Sequence, residues 1–164
     1  RGTATHAFME HVDVHGDVSL KGLSTQLHGL VEQGFLTEEE EKLVYLKGIH
    51  RFFQSDVGKA MAASPCVLRE YPFTMLLPRG KALPEVEAGE EFLIQGVIDC
   101  VFQDGDDWIL VDYKTDRLSD AKDFVERYAL QLMLYQKAVA SITGKTVRHA
   151  YIYSFHLQQT IVIT

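Results

Sequence analysis

Two aspartates stand where a strand can least accommodate them, and any fold for this chain must provide for both. Asp99 lies between Val97–Ile98 and Val101–Phe102, and Asp112 follows Ile109–Leu110–Val111. A carboxylate in such an apolar run is costly to bury unless it is paired or holds a cation. Asp104-Gly105 between the two runs is a strong hairpin signal. Residues 91–103 (EFLIQGVIDCVFQ) and 107–114 (DWILVDYK) are therefore expected to be antiparallel neighbours, with Asp99 and Asp112 close together. Asp112 and Lys114 are two residues apart on one strand, so they share a face. Two acids and one amine converge on one spot.

The rest of the chain supplies the support. Its 164 residues are enough for one domain with a substantial core. Residues 3–13 read as a helix carrying His6. Residues 37–54 read as another, opened by the capping box of Thr37 and Glu40 and carrying an apolar face of Leu43, Leu46, Ile49 and Phe53 beside Val44 and Phe52. A short helix is expected over 56–63, ending before Pro65. Residues 66–77 read as a strand. Residues 78–90, with Pro78, Gly80, Pro84 and Gly89, read as a loop. A long helix over 120–142 carries Phe124, Leu130, Leu134 and Ala138 and stops at Gly144. A strand over 147–155 and an edge strand over 159–164 follow.

This order predicts an α/β chain of the α+β type. An antiparallel meander plus a further strand forms a mixed central sheet, flanked by helices. Residues 1–64 would be a helical part and 65–164 an αβ core of the same single domain. The chain opens on Arg1 inside a helical pattern, which reads as a piece of a longer protein. No apolar run is long enough to span a bilayer, so no membrane partner is expected.

Carboxylate oxygens on an apolar scaffold suit Mg²⁺ or Mn²⁺, which polarise a phosphate and supply hydroxide at neutral pH. A lysine beside them can orient or deprotonate water and stabilise developing charge. The plain alternative is a buried salt bridge of Lys114 with Asp112 or Asp99 that serves only the fold. Glu70, the only acid in 66–77, could add a third carboxylate, or pair with Arg69 at an exposed edge. Gln131 and Tyr135 lie four apart on one helix face and could reach a phosphate or the lysine, or be a surface glutamine and a core tyrosine. His6 is a possible imidazole ligand, or one solvated helix histidine among seven. The net charge of −7 speaks against a general nucleic-acid-binding surface. A bound cation would offset part of it. Much of the remainder is surface acid, in Glu38 to Glu41 and in Glu85, Glu87, Glu90 and Glu91. Cys66 and Cys100 are expected to be buried free thiols, too few for a four-cysteine cluster.

The run GVIDCVFQDGDDWILVDYKTD, followed by YALQLMLYQKAV, resembles the RecB-family nuclease domain of the PD-(D/E)xK superfamily, in particular its AddA-type branch. Gly2 with His6 (GxxxH), the strand acid Glu70, Gly96 to Asp99 (GxID), Asp112 to Thr115 (DYKT) and Gln131 with Tyr135 (QxxxY) match that pattern in order. The resemblance implies a restriction-endonuclease-like core. It implies that His6, Asp99 and Asp112 are side-chain metal ligands, with the backbone carbonyl of Tyr113 as another. Lys114 would be catalytic, Glu70 would support the metal, and Gln131 and Tyr135 would position Lys114 or the DNA. It further implies Mg²⁺, with Mn²⁺ as a substitute, and neither iron–sulfur cluster nor structural zinc. The activity implied is hydrolysis of single-stranded DNA in double-strand break repair and recombination, in the bacterial cytoplasm. Helicase domains in the same parent chain would feed the strand, beside an AddB-like partner subunit. A free-standing Cas4-like exonuclease and a non-catalytic DNA-binding or docking module are the alternatives.

Overall fold

The apolar alternation of the second half of the chain becomes one sheet. The computed structural model describes residues 2–78 and 91–164. Strands β1 (Val67–Pro78), β2 (Glu91–Asp104), β3 (Asp107–Lys114), β4 (Val147–Ser154) and β5 (Gln159–Val162) lie side by side in chain order. All neighbours are antiparallel except β3 and β4, which run parallel. Gly105, at φ +64°, takes the first corner of the β2–β3 turn, a conformation that costs glycine little. The parallel pair needs a crossover, and helix α6 (Ala121–Thr143) provides it. Asp120 caps its start by accepting from the Asp123 N–H, and Gly144 ends it at φ +68°. The sheet is thus mixed, mostly antiparallel and flanked by helices, which is the expected α+β arrangement and fits a restriction-endonuclease-like fold.

Five helices precede the sheet: α1 (Gly2–His11), α2 (Leu20–Glu32), α3 (Glu38–Leu43), α4 (Leu46–Gln54) and α5 (Asp56–Ala63). Phe8, Leu23, Ile49 and Phe52 from this group pack with Cys100, Phe102, Val111, Tyr113 and Tyr153 of the sheet. On the other face, Phe124, Leu132, Ala138 and Val139 of α6 pack with Ile98, Val101, Leu110, Ala150 and Ile152. β3 is central and buried on both sides from Trp108 to Tyr113. Any polar side chain it carries inward is therefore committed to a dry site.

The structure departs from expectation in three places. The stretch 37–54 is two helices, because Val44 turns extended (φ −64°, ψ 130°) and Tyr45 breaks the spiral. The Tyr45 ring then lies over Gly48, where an added Cβ would come within 2.4 Å of it. Leu43, read as part of the apolar face, is exposed as a result. α2 was not anticipated, although Ser19 caps it and Leu23 and Leu27 are buried at helical spacing. On α6, Leu130 is exposed and Leu132 fills the core instead. The loop read over 78–90 and the acids Glu85, Glu87 and Glu90 lie, apart from Pro78 at the end of β1, outside the described residues. Both cysteines are free; Cys100 is buried and Cys66 half-buried, on opposite faces of the sheet. Among the described residues no helix is long and apolar enough to cross a membrane.

Candidate active site

Register brings the acids into one row. Arg69 pairs with Cys100 and Tyr71 with Ile98, so Glu70 stands opposite Asp99. Cys100–Val111 is the last β2–β3 pair, and the next step would set Asp99 opposite Asp112. Like charges directly across a sheet repel, and the ladder stops there. The Tyr113 N–H donates instead to Asp99 Oδ2 at 2.7 Å. Glu70 has the left-handed φ of +46°. Both strands also change faces at this row. On β1, Val67 faces the five-helix core, whereas Tyr71, Phe73 and Met75 face α6; on β2, Ile94 and Ile98 face α6, whereas Cys100 and Phe102 face the five helices.

Each side of the sheet then adds one arm. From α1, His6 Nε2–H donates to the Tyr113 carbonyl at 2.8 Å and lies 3.5 Å from Asp99 Oδ2. Arg69 holds α1 in place by donating to the carbonyls of Met9 and Val12. From the α6 side, Lys114 Nζ stands 2.5 Å from Asp112 Oδ2 and 4.5 Å over the Tyr128 ring. It also donates to Gln131 Oε1 at 3.5 Å, and Gln131 Nε2 donates to the Tyr135 hydroxyl at 2.8 Å. Gly96 makes room for this arm: a Cβ there would lie 2.8 Å from the Phe73 ring and 3.4 Å from that of Tyr135.

The comparisons with known proteins decide the family. Residues 1–161 match the PD-(D/E)XK nuclease superfamily. The chain belongs to that superfamily. It is 41% identical over 160 residues to an ATP-dependent helicase/nuclease subunit of Thermoanaerobacter sp. (strain X514), covering 94% of this chain and 13% of that protein. It is 35% identical over 167 residues to the protein of the same name from Clostridium botulinum (strain 657 / Type Ba4), covering 99% of this chain and 13% of that protein. The chain thus spans about an eighth of the length of these relatives. The resemblance to AddA-type nuclease domains stands.

Asp112-Tyr113-Lys114 has the (D/E)XK sequence from which the superfamily takes its name, and Asp99 accepts from its middle N–H. Within this cluster the charges do not balance. Burial, and then the nearby Asp99, push the Asp112 carboxyl up to about 6 despite its lysine. Burial works against the Lys114 ammonium, but Asp112 and Asp99 outweigh it and raise its pKa. Burial, Asp99 and Glu10 raise Glu70. Carboxylates outnumber cations here.

Among the described residues no three His, Cys, Asp or Glu side chains stand together as a ready metal cage. The structure brings together His6 Nε2, Asp99 Oδ2 and the Tyr113 carbonyl, while Asp112 is turned to Lys114. Asp112 Oδ2 is buried, and its contact with Lys114 is close but lacks hydrogen-bond alignment. Glu70 reaches the group through charge, not through a bond in this arrangement. Its suggested pairing with Arg69 gives way to the capping of α1. The donor set of carboxylates, one carbonyl and one imidazole nonetheless fits a hard divalent cation. His6 Nε2 would have to give up its hydrogen bond to the Tyr113 carbonyl to turn its lone pair to such a cation. Tyr128 was missed by sequence reasoning. Its signal was present, because 128, 131 and 135 lie on one helix face.

Proposed function

We propose that this chain is the nuclease domain of a longer helicase–nuclease and hydrolyses DNA phosphodiester bonds with a divalent metal, Mg²⁺ or Mn²⁺ in its place. The observation that carries the reading is the under-neutralised row of Asp99 and Asp112 with Lys114 beside it, in a chain matched over 94–99% of its length by helicase/nuclease subunits. Asp99, Asp112, the Tyr113 carbonyl and His6 would hold the metal, and Glu70 would support it. When bound, the cation supplies charge against phosphate oxygens and acidifies water at neutral pH.

The chain's own residues supply the rest. Lys114 keeps its ammonium and can donate hydrogen bonds to a phosphate oxygen as negative charge develops there. Gln131, braced by Tyr135, and the Tyr128 ring fix where that ammonium points. Burial of Asp112 and Lys114 keeps water from screening the pair.

We further propose that single strands are the substrate. A chain of net charge −7 has little electrostatic means to capture or open a duplex. In the parent protein, helicase domains would deliver the strand in double-strand break repair, in the bacterial cytoplasm, beside an AddB-like subunit. Cys66 and Cys100 hold no cluster or zinc in this reading. The test is cleavage of plasmid and of single-stranded DNA with Mg²⁺ and with excess EDTA. Cleavage of single strands only with the metal is expected. Full activity in EDTA, or equal digestion of blunt duplex, overturns the corresponding part.

A further inference from the structure

Beside the carboxylate row lies a cavity of about 330 Å³ that the proposed chemistry leaves unused. That is the lower end of the range for small-molecule sites, about 300–1,000 Å³, and the scale of one nucleotide. It is tied to the site on both sides. Thr5 precedes His6 on α1, and Thr115 follows Lys114 out of β3. Phe155, also in the lining, donates its N–H to the Lys114 carbonyl at 2.9 Å. A molecule seated here is therefore in register with the catalytic strand.

The lining has a definite chemistry. Among the described residues Arg117 is its one permanent cation and no carboxylate lines it, in a chain that carries 23 acids. Arg117 is exposed and pairs with no acid among the described residues. It stands three residues beyond Lys114, at most about 10 Å of chain. Tyr45 and His156 supply aromatic surface, with Phe155 buried behind them. Gln158 forms a strained part of the wall. Its φ is +55°, its amide nitrogen is bound to the Tyr45 hydroxyl, and its amide oxygen is buried without a partner. Such conformations persist where surrounding structure over-determines them, and they cluster at ligand clamps.

We propose that this cavity is a subsite for one nucleotide of a single DNA strand, next to the phosphate being cut. Arg117 takes that nucleotide's phosphate, and the aromatic wall takes its base. The inference rests on the nuclease reading for its substrate, and its test separates the two. Fluorescent oligo(dT) of twelve nucleotides, followed by anisotropy at low salt in EDTA, measures binding by the full chain without metal. Cleavage of the same strand in Mg²⁺ gives KM and kcat. Arg117→Glu should raise both Kd and KM on the order of tenfold, with kcat within about twofold, since it removes a contact to the neighbouring phosphate and not to the one being cut. Arg117→Lys should recover part of the loss, keeping the charge without the fork. Lys145→Glu, at the opposite end of the sheet, makes the same charge change and should leave Kd within about twofold. Unchanged binding by Arg117→Glu, or an equal loss in Lys145→Glu, overturns the subsite even if the wild type cleaves. A wild type that fails to cleave while Arg117→Glu still weakens binding sinks the nuclease reading and leaves the subsite standing.

Discussion

The β2–β3 hairpin carries two pairs of facing aspartates, one at each end, and their fates are opposite. At the turn, Asp104 pairs in register with Asp107. Arg148 of β4 bridges them, with Nη2 at 2.8 Å from Asp107 and Nη1 at 3.3 Å from Asp104, all three side chains a third to a half exposed. At the inner end, Asp99 and Asp112 stand one step past the last pair, and only Lys114 answers the buried Asp112. A forked cation bridges the first pair, and water hydrates the charge that remains. The second keeps a surplus of negative charge in a dry place, which an added cation would cancel. The same residue type, on the same two strands, is an ordinary surface cluster at one end and a poised site at the other. Solvent makes the difference, since each pair has one lysine or arginine but only the inner one is shut away from water.

The largest effect should come from dividing the inner pair. Lys114→Ala should lower cleavage by about 10²–10³-fold, the range set by losing a positioned charge-stabilising donor, while metal still binds. Removing a positive charge beside the cation should, if anything, tighten it. Asp112→Ala should lose metal and cleavage together. Calorimetric Mg²⁺ titration beside single-strand cleavage checks both. If the folded fraction of each variant cleaves as well as the wild type, the inner end is no more functional than the turn.

Stability without metal sharpens the contrast next. The Asp112 carboxyl titrates at about 6 in the fold against an ordinary 3.8. An acid whose pKa is raised by folding contributes stability that is fully present below its unfolded value and lost as pH rises through the folded one. In EDTA the protein should therefore lose stability between about pH 4 and 6. Asp112→Asn should remove that loss and be the more stable form at pH 7, by roughly 2–3 kcal/mol for a shift of this size. Urea melts across that window decide it. A buried pair that simply holds the fold gives the reverse, a cost of about 3–5 kcal/mol on breaking it.

Much of this contrast was legible in the sequence. Asp99 and Asp112 inside apolar runs, the Asp104-Gly105 turn and the two-residue step to Lys114 give the inner end directly, because strand periodicity and hairpin register are local rules. The reversal of faces at Glu70 and Asp99 was hidden, since a change of strand parity depends on what packs on each side. The break at Val44–Tyr45 was hidden for a similar reason: Tyr45 folds over Gly48, and its N–H lies 3.4 Å from Thr5 Oγ1, a partner 40 residues away. Arg69 looked like a mate for Glu70 until α1 offered its carbonyl ends. Tertiary partners, not propensity, chose each of these.

A smaller effect is expected from Gly96→Ala, which keeps every charge. The new methyl would stand 2.8 Å from the buried Phe73 ring, which must shift against α6. Overpacking of this kind costs about 1–3 kcal/mol. The displacement also reaches Tyr135, and through Gln131 the ammonium of Lys114. Cleavage should fall while Mg²⁺ affinity holds. A loss of metal binding instead would place this glycine's role with Asp99.

The smallest effect should come from the turn. Arg148→Ala leaves Asp104 and Asp107 facing each other with no cation between them, a barer pair than the inner one, which keeps Lys114. Here, however, both carboxylates reach water, which screens their repulsion and hydrates each one. Exposed ion pairs of this kind contribute little, because the long side chain must be ordered to make them. The thermal midpoint should stay within about 2 °C of the wild type, with cleavage unchanged and the stability loss between pH 4 and 6 intact. Raising the salt should narrow what difference there is, since screening weakens both the attraction Arg148 supplies and the repulsion left without it. A large destabilisation of Arg148→Ala at physiological salt, or one that disappears when Asp104 is also neutralised, would mean that facing aspartates are costly on this hairpin wherever they stand. The inner pair would then owe its strain to register and not to burial, and the reading of that end as a site waiting for a cation would lose its physical basis.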